Sequence, residues 1–195
     1  MYLYIVKYSG PFGFIKPWTA VRDSETFSQP FLTPSIVEGI EKKLFPELLD
    51  QKYAGATHKI IAHRLNYLGI DIQQERTWSK GGFKANKEGN TYKSNMGILS
   101  RGVMLKPNLY LAFDNETDAQ RAFEQHICLC RNEDILLPEE ILPPMDKEEF
   151  NKIPGFELEI SDSENGFKVG HNRFANGKEM FGKLEVSGNP IRNEG

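Results

Sequence analysis

Residues 73–106, QQERTWSKGGFKANKEGNTYKSNMGILSRGVMLK, interrupt an otherwise regular alternation of strand-like and helix-like runs. The segment carries seven Lys/Arg against two Glu, a local excess of five positive charges in a chain whose net charge is −3. Trp78, Phe83 and Tyr92 are spaced between the cations, and five glycines loosen the backbone. Cations hold phosphates, aromatic faces stack bases and glycines permit close approach. That combination suits single-stranded nucleic acid. The same composition also describes a solvated, flexible loop.

The flanks decide what is interrupted. Before the segment, His58–Leu68 (HKIIAHRLNYL) reads as a strand leading into it. After it, Val103–Phe113 (VMLKPNLYLAF) reads as a strand broken at Pro107, which implies an edge or a bulge. Tyr2–Tyr8 (YLYIVKY) is aromatic and β-branched, again a strand. Ile36, Val37, Ile40, Leu44 and Phe45 fall at helical spacing, with Thr33 as N-cap and Pro34 in the first turn. Asp114 opens a capping pattern, DNETDAQRAFEQ, for a helix from about Glu116 to Gln125. Ile127–Leu129 follows as a short strand, and prolines break regular structure from Leu136 to Pro144. Phe156–Ile160 alternates like a half-exposed strand, Asp162–Gly166 reads as a turn, and Lys183–Val186 is a further short strand. The order up to Leu129 is βαββαβ, an α+β, ferredoxin-like (RRM-like) arrangement with a long β-hairpin insertion and a small β-rich C-terminal appendage. The corresponding division is 1–135 with the insertion at about 70–102, then 136–195.

The totals bound the possibilities. A chain of 195 residues with 39% apolar and 26% charged residues can bury a core without disulfide or metal staples. Its longest apolar runs fall short of the ~20 residues of a membrane helix, and MYLYIVKYSG lacks the features of a signal peptide; a cytoplasmic protein with no membrane partner is expected. The cysteines, Cys128 and Cys130, are expected to be buried or half-buried free thiols. No cofactor or metal is implied, because carboxylates, His and Cys do not cluster at ligand spacing. From Glu133 to Glu164 eleven acidic residues face two lysines, so the basic middle and the acidic distal part must contact different things, or each other.

Three stretches carry a family resemblance: YIVKYSGPFGFIKPW (residues 4–18), FSQPFLTPSIVEGIEKKLF (27–45) and LCRNEDILLP (129–138). The first resembles the opening strand and Gly-Pro loop of the Cas-five family, the CRISPR-associated RAMP proteins of Cascade-like interference complexes. The second is similar to its Thr/Pro/Ser helix start, and the third to a segment of glycine, arginine and an acidic pair. Cys130 stands where that family usually has glycine. The resemblance implies a non-catalytic subunit in antiviral defence. It would bind the 5′ handle of crRNA, cap the complex beside a backbone subunit and a large subunit, and meet target DNA only indirectly. A hairpin "thumb" inserted between the second and third strands presses on the RNA in that family, at the place where residues 73–106 lie. The implied RNA contacts are Trp78, Phe83 and Tyr92 by stacking, Lys80, Lys84, Lys87 and Lys93 on phosphates, and Arg22, Arg76, Arg101 and Arg131 by forked hydrogen bonds.

Two other readings stay open. Metal-independent RNA cleavage would need a base, an acid and a cation, types that His58, His63, Tyr67 and Lys59 could supply. A protein-interaction module would use the acidic distal part. Gly170–Arg173 with Lys178 and Lys183 suits either a second phosphate-contacting loop or a plain hairpin, and Met96, Ile98 and Leu99 suit a contact with a neighbouring subunit, a hairpin's apolar tip or its anchor.

Overall fold

A computed structural model describes residues 2–19, 24–49, 59–78, 85–88, 90–94, 96–172 and 176–192; of residues 78, 85–88, 91–94, 96 and 172 it describes the backbone alone. The chain begins with strands β1 (Tyr2–Ser9), β2 (Phe12–Gly13) and β3 (Glu25–Phe27), then helix α1 (Pro34–Leu44). Strands β4 (Ile60–Asn66), β5 (Gly69–Trp78), β6 (Ala85–Glu88), β7 (Thr91–Ser94), β8 (Met96–Leu105) and β9 (Asn108–Phe113) lead to α2 (Glu116–Phe123). After β10 (Ile127–Cys128) and β11 (Ile135–Asp146) come the short α3 (Lys147–Phe150) and strands β12 (Gly155–Ser161), β13 (Phe167–Asn172) and β14 (Lys178–Ser187).

The protein is mixed α+β and strand-rich. An antiparallel sheet of eight strands runs β10-β11-β1-β9-β4-β12-β14-β13. Its central strands are buried on both faces. Val6, Tyr8, Leu65, Leu109, Leu111 and Phe113 meet Val37, Ile40 and Leu44 of α1 and Ala119 and Ala122 of α2 in the main core. The Tyr8 hydroxyl donates to the Ala122 carbonyl at 2.6 Å, which ties α2 to β1. On the opposite face Leu3, Ile5 and Ala112 are covered by Phe150. The Asn115 side chain caps α2 by accepting the Asp118 N–H at 2.8 Å, as the DNETD pattern predicts. Thr33 precedes α1 with Pro34 in the first turn, but its hydroxyl turns to Ser35 at 3.1 Å instead of capping.

Three expectations are corrected. Residues 136–144 do not break regular structure: they lie in β11, which pairs along β1. Among the described residues no strand pairs with the outer side of β11 beyond Leu136, so the missing N–H groups of Pro138, Pro143 and Pro144 cost little, and the register shifts opposite Lys7/Tyr8 and Leu3/Ile5 absorb the prolines. Ile127–Leu129 shrinks to the two-residue edge strand β10, so β11, not this run, lies beside β1. β12, β14 and β13 continue the same sheet beyond β4. Cys130 is exposed, whereas Cys128 is half-buried.

The inserted segment is a bent continuation of the β4–β9 pair. Asn66 and Asn108 are the last partners in the main sheet, and Gly69 and Leu105 the first partners of the hairpin β5–β8. At the bend Lys106 adopts φ 44° and Pro107 ends the ladder, so the run Val103–Phe113 serves two sheets. The Leu68 and Lys106 N–H groups are held there by the Leu105 and Pro11 carbonyls, at 2.8 and 2.9 Å. Ten residues of β5 pair in register with ten of β8, and β6–β7 form a second small hairpin further out. β2 runs antiparallel and β3 parallel to β8 on its other edge, which broadens the base of the hairpin to a four-stranded sheet.

Candidate nucleic-acid interface

The hairpin's two faces differ because side chains alternate along each strand. The inner face carries Gln73 and Glu75 of β5 opposite Arg101 and Leu99 of β8. There Arg131, from the loop before β11, makes the central contact. Its Nε and Nη2 donate to the two oxygens of Asp134, at 2.9 and 2.6 Å. Nη1 donates to Glu75 Oε1 at 2.5 Å and Nη2 to Gln73 Oε1 at 3.1 Å. The hydrogen bonds to Asp134, and then to Glu75, hold the guanidinium in its charged form more firmly than usual. Asp134 is fully buried, so this fork also supplies its counter-charge.

Arg101 joins the same cluster. Its Nη1 donates to Thr26 Oγ1 at 3.0 Å, its Nε lies 3.8 Å from Glu75 Oε2, and its guanidinium sits 5.8 Å from the centre of the Phe14 ring. Arg131 lies over the same ring at 5.2 Å. One carboxylate and one aromatic ring thus gather two arginines from distant parts of the chain and fasten the hairpin to the body. Arg101 and Arg131, read from the sequence as RNA contacts, spend their donors on protein groups here.

The remaining sequence candidates fall in three places. Arg76 is exposed on the outer face of β5. Trp78 ends β5, and Lys87, Tyr92 and Lys93 lie in β6 and β7, where Lys87 pairs with Tyr92; their side chains lie outside the described residues. Arg22, Lys80, Phe83 and Lys84 also lie outside the described residues. Met96–Leu99 belong to the shaft of the hairpin rather than its tip, because β6–β7 extend beyond them. Glu75, Asp134, Phe14 and Phe27 were not singled out by sequence. The acidic pair Glu133–Asp134 beside Arg131 was the one visible signal of the clamp.

Of the groups weighed for RNA cleavage, His63, Lys59 and Tyr67 make contacts within the fold. His63 is buried on β4 with Nδ1 3.6 Å from Glu157 Oε1. Burial, with Arg64 beside it, pushes its pKa down to about 4. Arg64 pairs with the same Glu157 carboxylate. Lys59 donates to Asp118 at 2.7 Å and lies over the Phe45 ring. Burial opposes the Asp118 charge, but hydrogen bonds from Lys59 and Asn115 outweigh it and hold the carboxyl below its usual range. Tyr67 stacks on Phe156 with ring centres 6.1 Å apart. His58 lies outside the described residues. Among the described residues no group of His, Cys, Asp and Glu is arranged to hold a metal. Asp162 Oδ1 accepts from the Glu164 and Asn165 N–H groups, which makes 162–166 the expected turn. Gly170–Asn172 lies in the β13–β14 hairpin, whose segment 173–175 is outside the described residues. Among the described residues, no helix is long and apolar enough to cross a membrane.

No protein-family model matches the sequence, and no curated protein matches it significantly. Solved structures do match its fold. A chain of a type III-B Cmr-beta complex bound to cognate target RNA and AMPPnP aligns at a TM-score of 0.47 and 8% identity, over 94% of this chain and 84% of that one. A chain of a CRISPR RNA-guided surveillance complex aligns at a TM-score of 0.54 and 10% identity, over 96% of this chain and 91% of that one. This protein therefore shares the fold of a CRISPR surveillance-complex chain over nearly the full length of both, as the resemblance of its sequence to the Cas-five family leads one to expect.

Proposed function

We propose that the chain is a non-catalytic subunit of a Cascade-like CRISPR interference complex. In this reading it binds the 5′ handle of the crRNA, caps the backbone of the complex and meets the large subunit. The order β11-β1-β9-β4, with α1 between β1 and β4 and α2 between β9 and β11, supports reading this part as a ferredoxin-like βαββαβ unit. The hairpin β5–β8 is then the insertion between its second and third strands, and β12–β14 the C-terminal extension.

The single observation that carries the reading is this hairpin: a rigid, clamped base bearing a basic, aromatic-rich distal part. A fixed base lowers the entropic cost of presenting a hairpin to a phosphate chain. Lys80, Lys84, Lys87 and Lys93 neutralise phosphates, while Trp78, Phe83 and Tyr92 stack bases. Arg22 and Arg76 add forked contacts; Arg101 and Arg131 act by holding the hairpin in place.

Replacing Lys80, Lys84 and Lys87 together by alanine is expected to lower the affinity for handle RNA at least tenfold. The slope of log affinity against log salt should flatten by about two. Unchanged affinity and slope would remove the thumb assignment. Incubation with precursor crRNA in chelator checks the non-catalytic part: cleavage abolished by His63→Ala would replace it with an endoribonuclease.

A further inference from the structure

The hairpin's outer face, turned away from the Arg131 clamp, is unusually apolar for an exposed surface. Alternation puts Ile70, Ile72, Gln74 and Arg76 of β5 there, with Gly102 and Ile98 of β8 as in-register partners of Ile72 and Arg76. β3 extends the face, because Phe27 pairs with Gly102. Phe27 is 51% exposed, Ile72 46% and Ile98 59%.

Gly102 explains how the aromatic ring is held. A β-carbon at position 102 would come within 2.8 Å or less of three carbons of the Phe27 ring. Only glycine leaves room for the ring to lie across the middle strand. One side of the ring is thereby supported by backbone, and half of the residue's surface remains open to solvent. Arg76 is exposed on the same face, four residues along β5 from Ile72. That charge suits a polyanion with flat faces better than an apolar protein surface.

We propose that Phe27, laid over Gly102 beside Ile72 and with Arg76 further along the same face, is a stacking plate for an unpaired RNA base. It is a contact separate from the lysines and aromatics of the hairpin's distal part, and it rests on the RNA-binding reading above. The base stacks on the open ring face, the isoleucines exclude water at its edge, and Arg76 reaches the adjoining phosphate. Stacking on a π-face does not read sequence, so the plate adds affinity and register rather than base choice.

The test measures binding of the full chain to a labelled uridine dodecamer and to an abasic strand of equal length. Phe27→Ala is expected to weaken binding to the dodecamer about tenfold, to leave the abasic strand unaffected and to keep the salt slope unchanged. Phe27→Trp should retain binding. Gly102→Val, which displaces the ring without removing it, should reproduce the loss, with thermal unfolding confirming that both variants are folded. If Phe27→Ala binds the dodecamer like the unaltered chain while the triple lysine variant does not, the plate is overturned and RNA binding stands. Equal losses on both strands overturn it as well, since stacking needs a base. Loss of co-purifying protein subunits with RNA binding intact would make the face a protein interface, and no binding of either strand by the unaltered chain would overturn both readings.

Discussion

Arg76 and Arg101 stand on the two strands of one hairpin, yet their surroundings are opposite. Arg76 is exposed on the outer face. Arg101 faces inward, donates to Thr26 and shares Glu75 with Arg131. Strand alternation alone separates them, and a shift of β5 by one residue would turn Arg76 inward. A count of positive charge therefore overstates the binding surface. Within the basic segment Arg101 builds the hairpin's seat, whereas Arg76 stays exposed.

The largest expected effect breaks the inner side. Arg131→Ala would strand the buried Asp134 and release Glu75 and Gln73, so denaturant unfolding should show a loss of about 3 kcal/mol. The complementary Arg131→Lys cannot form the fork to Asp134 and should recover only part of it.

Acid tests the body of the protein rather than the hairpin. His63 has a folded pKa of about 4 against the usual 6.5. Between those values the unfolded chain binds a proton that the folded chain refuses. Stability from this group is therefore complete above pH 6.5, declines as pH falls to 4 and levels off below; the decline is on the order of 3 kcal/mol. His63→Phe should flatten that part of the stability–pH curve, whereas variants of the Arg131 clamp should leave its shape alone.

Smaller still is Glu75→Gln, which keeps a hydrogen-bond acceptor but removes the charge between the two arginines. A loss of about 1.5 kcal/mol is expected, with faster protease cleavage within residues 69–105 as the seat loosens. The smallest effect on stability belongs to Arg76→Ala, within about 0.5 kcal/mol. That variant should still bind RNA roughly threefold more weakly, which would set the outer arginine apart from the inner one by function as well as by position.

Much of the fold was legible where the pattern is local. The aromatic and β-branched run of β1, the Thr33-Pro34 start of α1, the DNETD cap of α2 and the interruption between β4 and β9 were all readable from spacing. β11 was not, because three prolines argue against a strand unless its outer side is known to be free and its bulges known to fit. The site was half legible. The cations and aromatics of 73–106 were visible as a set, but the seat was not: Arg131 and Glu75 are 56 residues apart, and nothing in either neighbourhood names the other.

By itself the sequence determined the strand and helix periods, the place of the insertion and the separation of a basic middle from an acidic distal part. These depend on relations between residues a few positions apart, which composition and spacing record. Only the tertiary structure decided that Arg101 and Arg131 converge on Glu75 and Phe14, that Phe27 lies over Gly102, and that residues 135–146 run along β1. Each of those results depends on which strand faces which neighbour. Register and long-range packing set that choice, and they minimise buried unpaired charge across the whole molecule rather than within any one segment.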